Sequence, residues 1–450
     1  MRKIILSVLT LSLFLPAMAG SGKFVGGDIS MLPKIEANIS YYKDDNGKRI
    51  NDLVTWLVDS CGWNTFRVRL FVNPDPDFGK NNYKNVNTDI TIIQDLDYVK
   101  ALGRRIKDKG ANFMLDLHYS DFWVDASKIK APTAWQSAND EQMADSVAKY
   151  TRMVLDTLIA NNATPDFVQI GNEIMYGMCG RNVHPYNYNG DKWDAFAQLL
   201  KVGSEAVRDK CPNAQIIIHT DRPTNITYNN YWYQKVIQYG VDFDIIGLSY
   251  YPFWHGTLTT QQAISCIGYS NNVNLKQSLD NFATTFPDKK VHIVEFAYNF
   301  QYSFDGPNYD TSTLWPISVD GQYQLVSDLV DLLAAYPQVE GLNYWYPEDA
   351  GNGDYLSKWD GTDPRMIEQN WSNRGLWSEG QSKTGHSINL TSKKQCVQKR
   401  LRDFLSEEQM SAINDIKEQK AYKANKYMLD GQIIIEKNGV LYNILGTPLK

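Results

Sequence analysis

The chain has 450 residues, 43% of them apolar, enough to bury a large core as one big α/β domain or as two to three ordinary ones. That composition excludes collagen-like and disordered classes. A formal charge of -6 and a pI near 5.6 leave no basic footprint, so nucleic acid is not expected as a partner and an uncharged or acidic ligand stays open.

The N-terminus reads MRKIILSVLTLSLFLPAMAGSG: Arg2 and Lys3, an apolar run from Ile4, then Ala17-Met18-Ala19 before small residues. This is the pattern of an export signal over residues 1–20, too short to span a bilayer as a stable helix, with removal expected near Ala19 or Gly20. The first Cys after it is Cys61, so lipid attachment to an N-terminal Cys is not expected. The five Cys (Cys61, Cys179, Cys211, Cys266 and Cys396) form no C-x-x-C pair, which argues against a zinc ribbon or a redox motif and leaves their pairing open.

From residue 21 to about 390, short β-rich runs alternate with amphipathic stretches. Eight strands are expected, at 23–30, 64–72, 111–119, 166–173, 214–221, 243–251, 291–298 and 341–348. Between them, DLDYVKALGRRIKDKG, AKYTRMVLDTLIANN and GQYQLVSDLVDLLAAYP carry apolar residues at helical spacing and stop at Gly, Asn or Pro. Eight such units predict an α/β fold of the (β/α)₈, or TIM barrel, type. The competing fold, a doubly wound open sheet, lacks its G-x-G-x-x-G or P-loop after any early strand.

Residues 391–450 read as a C-terminal tail: a charged helical segment, then Gln432–Glu436 and Val440–Ile444 as two strands of a hairpin turning at Lys437-Asn438-Gly439. A lone hairpin is marginal, so this tail is expected to pack on something or to act as a recognition element.

Chemistry gathers where the strands end, the face on which such barrels build their sites. Strand two carries Arg67 and Arg69, strand three Asp116, His118, Ser120 and Asp121, and strand four Asn172 and Glu173. Strand five ends in His219 and Asp221, strand six in Ser249-Tyr250-Tyr251, strand seven holds Glu295, and strand eight holds Trp345 and Glu348. Any one of these could be a satisfied polar group of the barrel interior; seven strand ends together argue for a site. Glu173 and Glu295 stand out, because two carboxyls across a cleft, one protonated and one ionised, are the minimal apparatus for cleaving a glycosidic bond. The 12 Trp and 27 Tyr suit stacking on sugar faces as well as core packing.

IGNE and IVEFAY resemble the retaining (β/α)₈ glycoside hydrolases, whose acid/base is the Glu of an Asn-Glu pair on strand four and whose nucleophile is a Glu on strand seven. GGDIS, FRVRLFVNP, LDLHYSDFWVD, APTAW, TPDFVQIGNEI, FDIIGLSYYPFWHGTL and IVEFAY, in this order between Phe24 and Gly380, resemble the arabinogalactan endo-β-1,4-galactanases of glycoside hydrolase family 53. The resemblance implies Glu173 as acid/base and Glu295 as nucleophile, with carboxyls about 5 Å apart. It implies Asn172 on the 2-hydroxyl of the sugar, Arg67 and Tyr250 donating to Glu295, and Trp345 flooring the cleavage subsite. Asp116, His118, Ser120, Asp121, His219 and Asp221 match polar positions of the same cleft, and Trp123 and Trp254 are candidate stacking platforms. It also implies a galactan partner; the chemistry needs no cofactor, and a cleft enzyme acting on a polymer is expected to work as a monomer.

Two departures bear on that expectation. Many relatives continue IGNEI with Asn-x-Gly-Met, whereas here Met175-Tyr176-Gly177-Met178 follows, so a subsite contact from position 175 is lost or replaced. The loop NFQYSFDGPNYDTSTLWP lacks the longer Asp-, Gly- and His-rich form that binds calcium in some relatives, so no metal is expected there. The tail DGQIIIEKNGVLYNILGTPLK resembles terminal segments of exported Bacteroidetes proteins, which implies a sorting role and a secreted, periplasmic or cell-surface location in a Gram-negative bacterium. Two alternatives remain: a catalytically silent galactan-binding protein, disfavoured by the intact Glu pair, and a mannanase or xylanase on the same barrel.

Overall fold

The structure, a computed structural model, describes residues 22–37, 39–75, 92–184, 192–260, 273–301, 309–350, 374–380, 389–412, 425–429, 432–437 and 440–443. The export signal expected over residues 1–20 and residues 302–308 of the loop after the seventh expected strand lie outside the described residues.

Eight parallel strands close into a barrel: β1 (Phe24–Asp28), β4 (Thr65–Leu70), β5 (Asn112–Leu117), β6 (Phe167–Ile170), β9 (Gln215–Thr220), β10 (Ile245–Tyr250), β11 (Lys290–Phe296) and β12 (Val339–Trp345). All eight fall where the alternation of apolar runs and helical stretches placed them. Short pairs fill the connections: β2 (Tyr41–Lys43) with β3 (Arg49–Ile50), and β7 (Gly177–Met178) with β8 (Arg181–Asn182). The helices Leu96–Asp108, Asp140–Ala160, Trp193–Lys210, Ile226–Gln238, Leu275–Thr285 and Val319–Ala334 lie between successive barrel strands. Several start at an Asn, Asp or Ser whose side chain accepts an otherwise orphan backbone N–H; Asn139 and Gln142 complete a capping box on the longest of them.

Inside the barrel, Phe24, Met114, Phe167, Ile217, Ile245 and Val294 form an apolar plug, a packed layer rather than a pore. Above it stand charged and polar side chains, buried to an extent tolerable only with partners.

The boundary expected at 390/391 falls inside a strand. β14 (Asn389–Ser392) pairs with β13 (Trp377–Gly380) and with β2, in a four-stranded sheet with β3. Beyond it, the helical turns Val397–Arg400 and Leu401–Phe404 bury Val397, Leu401 and Phe404, so a charged stretch still docks through its few apolar residues. Gln409 then joins the start of β1, accepting from Lys23 N and donating to Lys23 O, both at 2.9 Å. The expected hairpin is present as β16 (Gln432–Lys437) and β17 (Val440–Asn443), with Lys437 opposite Val440, and a further strand, β15 (Asn425–Leu429), makes it a three-stranded meander.

Candidate active site

At the end of β6 the chain leaves extended geometry at Gly171, whose φ of 81° places it in the left-handed region. A Cβ there would meet Ile174 Cγ2 at 2.5 Å and the Met178 sulfur at 3.0 Å, so only glycine fits. Two residues on, Glu173 itself is left-handed (φ 46°, ψ 47°). Such a conformation in a non-glycine residue costs on the order of 1–3 kcal/mol and persists where the surroundings impose it. The turn presents Asn172 and Glu173 at the barrel mouth, and Glu173 is partly open to solvent.

Glu295 arrives by a different device. Along β11, His292 and Val294 face the barrel interior, so strict alternation would send Glu295 outward with Ile293. Instead, Leu248 pairs with Ile293 while Ser249 pairs with Glu295, one extra residue on β11, and the pairing with β12 shifts at the same place. This β-bulge turns Val294 and Glu295 to the same side. Glu295 Oε1 accepts from Arg67 Nη1 at 2.9 Å and Oε2 from the Tyr251 hydroxyl at 2.9 Å.

Arg67 organises the floor. Its guanidinium reaches Asp28 Oδ2 at 2.7 Å, Asp116 Oδ2 at 2.8 Å, Asn172 Oδ1 at 2.8 Å and Gln169 Oε1 at 3.2 Å, besides Glu295. The fork geometry of Arg makes five such contacts feasible, where Lys would offer three donors from one point. Asp116 also accepts from Gln169 Nε2 at 2.6 Å and faces His118 Nε2 at 3.1 Å. Because His118 Nδ1 accepts from Val124 N, the ring proton sits on Nε2 and points to Asp116. Asp116 and His118 thus lie behind the site, fully buried, and position Arg67 and the Val124 loop.

Around Glu173, Ser249 Oγ stands 2.6 Å from Oε1 and 2.9 Å from His219 Nε2. One hydroxyl proton can serve only one of these neighbours, so the other must bring its own. With Glu173 ionised, His219 Nε2–H donates to Ser249 and Ser249 to Glu173. His219 Nδ1 accepts from the Glu173 backbone N–H at 3.3 Å, which places the ring proton on Nε2 and fixes that direction along the chain. Burial, then the Arg67 charge, holds His219 well below its usual range, so it stays neutral with its one proton on Nε2.

The two acids differ in proton affinity. Glu173 is pushed well above the usual carboxylate range, first by burial, then by the charges of Glu295 and Asp221. Glu295 is raised to about 6, because burial outweighs the pull of Arg67. Near neutral pH the proton therefore resides on Glu173 and the charge on Glu295.

Other expected residues divide clearly. Trp345 ends β12, edge-on to Tyr251 at 6.4 Å, and Trp123 lies 6.5 Å from it with the Arg69 guanidinium over its ring at 4.3 Å. Asp221, at the end of β9, is buried and close enough to Glu173 to raise its proton affinity. Trp254 follows β10 on the short helix Pro252–His255. Asp121 accepts from Asn73 N and Thr133 N, and Ser120 from Phe122 N, so both brace loops in the described contacts. Glu348 accepts from Met31 N and lies buried beside Asp28 and Arg69.

Tyr250 is a correction. Its hydroxyl donates to Gly256 O at 2.8 Å, and the donor to Glu295 is Tyr251. Ser249 faces the interior, so by the two-residue period of a strand Tyr250 faces out and Tyr251 in. Met175 is fully buried, and its carbonyl accepts from Trp232 Nε1 at 2.9 Å; Tyr176 instead packs against His184, ring centroids 4.0 Å apart and tilted by 48°. The sequence reading placed Ser249 and Tyr251 at a strand end without giving either a role, and it missed Asp28, Gln169 and Arg374, whose guanidinium lies 5.0 Å from the Tyr251 ring. Among the described residues no group of three His, Cys, Asp or Glu side chains is arranged to hold a metal.

Two carboxyls of unequal proton affinity, one buried and one partly open at the mouth of a (β/α)₈ barrel walled by aromatics, define a glycoside hydrolase. The sequence profile of Glycosyl hydrolase family 53 matches residues 24–391, and the chain belongs to that family. It is 33% identical over 354 residues (75% of this chain, 90% of the relative) to a probable arabinogalactan endo-β-1,4-galactanase A of Aspergillus terreus. To an endo-β-1,4-galactanase of Bacillus subtilis it is 30% identical over 344 residues, 74% of this chain and 72% of the relative. Among solved structures, the Ignisphaera aggregans GH53 catalytic domain superposes with a TM-score of 0.65 at 27% identity, covering 86% of this chain and 98% of that one. A structure from a study of two fungal β-1,4-galactanases gives 0.63 at 26%, covering 84% and 99%.

Proposed function

We propose that the protein is an exported endo-β-1,4-galactanase that hydrolyses the β-1,4-galactan side chains of pectin with retention of configuration. The observation that carries the reading is the unequal support of the two carboxyls: Arg67 and Tyr251 on Glu295, against a single serine hydroxyl on Glu173. Each oxygen of Glu295 receives one donor and keeps a lone pair, so the carboxylate is held in place yet able to attack the anomeric carbon. Glu173, protonated, delivers its proton to the departing glycosidic oxygen and leaves a covalent glycosyl-enzyme. Ionised, it then takes a proton from water, which displaces Glu295. The His219–Ser249 pair supports the ionised state, His219 Nε2–H donating to Ser249 and Ser249 to Glu173 Oε1. Asn172 contributes its amide to the 2-hydroxyl, while Trp345, Trp123 and Trp254 offer faces for galactose rings.

Galactan is the substrate favoured by the relatives, whose names specify it. The test is product analysis on potato galactan beside xylan, mannan and cellulose, with the anomer of the first product followed by NMR. Release of short β-galacto-oligosaccharides from galactan alone supports the reading. No release from galactan, or an initial α-anomer, would refute the substrate or the stereochemistry respectively.

In this reading the enzyme works as a monomer, residues 1–20 direct export, and the C-terminal tail of residues 391–450 serves in sorting. No helix among the described residues is long and apolar enough to cross a membrane. Truncation at Asn425 with unchanged location of the protein would remove the sorting role.

A further inference from the structure

We infer that Cys61 and Cys396 form a disulfide when the chain meets an oxidising environment, a cross-link between the start of the barrel and the segment that completes its outer ring. Cys61 follows the helix Leu53–Asp59 and directly precedes β4, at the end of the barrel opposite the catalytic carboxyls. Cys396 caps the turn Val397–Arg400. Both are buried, Cys61 fully and Cys396 to within 9% exposure, and the Cys61 thiol hydrogen-bonds the Cys396 sulfur.

Independent contacts hold the two segments together around that pair. Trp63 Nε1 donates to Gln398 O at 2.8 Å, and Lys399 Nζ grips both oxygens of Asp45 at 2.7 Å. Ser392 Oγ lies 3.6 Å from the Cys396 sulfur. Cys179, by contrast, donates to Tyr119 O.

The chemistry is asymmetric in a useful way. The hydrogen bond from Cys61 brings the Cys396 thiol down to about 7 against the effect of burial, while burial pushes Cys61 well up. Cys396 is then the attacking thiolate and Cys61 the resolving thiol. With oxidised glutathione as oxidant, the Cys396 thiolate attacks one of its sulfurs and expels a glutathione thiolate, leaving a mixed disulfide. Cys61 gives its proton to that thiolate and attacks the Cys396 sulfur, expelling the second glutathione. Two protein thiols are oxidised and one small disulfide is reduced to two thiols.

The closed loop contains seven of the eight barrel strands, all but β1, and a long loop is the situation in which a cross-link most restricts the unfolded chain. To test it, the purified full chain is equilibrated with oxidised glutathione, quenched in acid, alkylated in denaturant and digested without reduction. The expected result is one linked peptide pair containing Cys61 and Cys396, lighter by two hydrogens than the separate thiols and absent from Cys396→Ser and Cys61→Ala. Alkylation of both cysteines in the treated wild type overturns the inference, as does stable glutathione on Cys396 beside alkylated Cys61. Dithiothreitol should lower the thermal midpoint of the oxidised wild type by about 5 °C and leave Cys396→Ser unchanged; an equal fall in both overturns the cross-link's role.

Discussion

Glu173 and Glu295 are the same side chain at the mouth of one barrel, yet nearly everything around them differs. Glu173 is placed by a left-handed turn after the strand and meets one hydroxyl; Glu295 is placed by a bulge within the strand and meets a guanidinium and a phenol. Burial raises the proton affinity of both. The donors decide the order, because only Glu295 has a fixed positive charge against it. Removing or exchanging those donors should erase the difference between the two acids.

The largest effect is expected from Glu295→Ala, which should reduce turnover on the order of 10⁴-fold or more, with partial rescue by azide. Turnover near wild type would sink the assignment. Glu173→Gln should cost about 10²- to 10⁴-fold on galactan and far less on an aryl galactoside with a good leaving group, which needs no protonation. Equal losses on both substrates would contradict the acid role.

The same Glu173→Gln variant has a second signature. The folded-state proton affinity of Glu173 lies above the ordinary value of 4.5, so the ionisable wild type loses stability relative to Gln as pH rises above that value. The variant should melt higher than wild type at neutral pH, with the gap closing below about pH 4.5. A gap independent of pH would argue against a raised proton affinity.

Arg67→Lys breaks contacts with three buried carboxylates, and a loss of roughly 3–5 kcal/mol in chemical denaturation is expected. It should also move the acid limb of the pH–rate profile upward from about 6, since that limb reports ionisation of Glu295 and Arg67 favours the ionised form. Tyr251→Phe should shift the same limb in the same direction and lower turnover about tenfold, the cost of one charge-assisted hydrogen bond. Tyr250→Phe, which loses only the bond to Gly256 O, should leave the limb in place and cost about 1 kcal/mol of stability. A limb shift from Tyr250→Phe instead would make Tyr250, not Tyr251, the donor to Glu295.

The barrel was legible because each strand is a continuous apolar run flanked by amphipathic stretches, a local pattern that survives in one dimension. Glu173 was legible for a similar reason, standing in IGNE at the end of such a run. Tyr251 could have been found by counting in twos along β10, and Asp28 by applying to GGDIS the rule applied to the other strand ends. Arg374 offered no such signal: it belongs to no barrel strand and meets Tyr251 only through the fold. The chain beyond residue 390 read as a charged tail because four apolar residues among many charges, Val397, Leu401, Phe404 and Leu405, are a weak pattern until the fold buries them.

The amino-acid order by itself determined the eight βα units, the glycine turn that carries Glu173 and the residue types at the barrel mouth, since these depend on periodicity and on backbone constraints within a few residues. Tertiary structure decided that Glu295 faces inward, that Tyr251 and not Tyr250 supports it, and that Cys61 lies against Cys396. A bulge exists only relative to the strands beside it, and a proton settles according to every charge within reach.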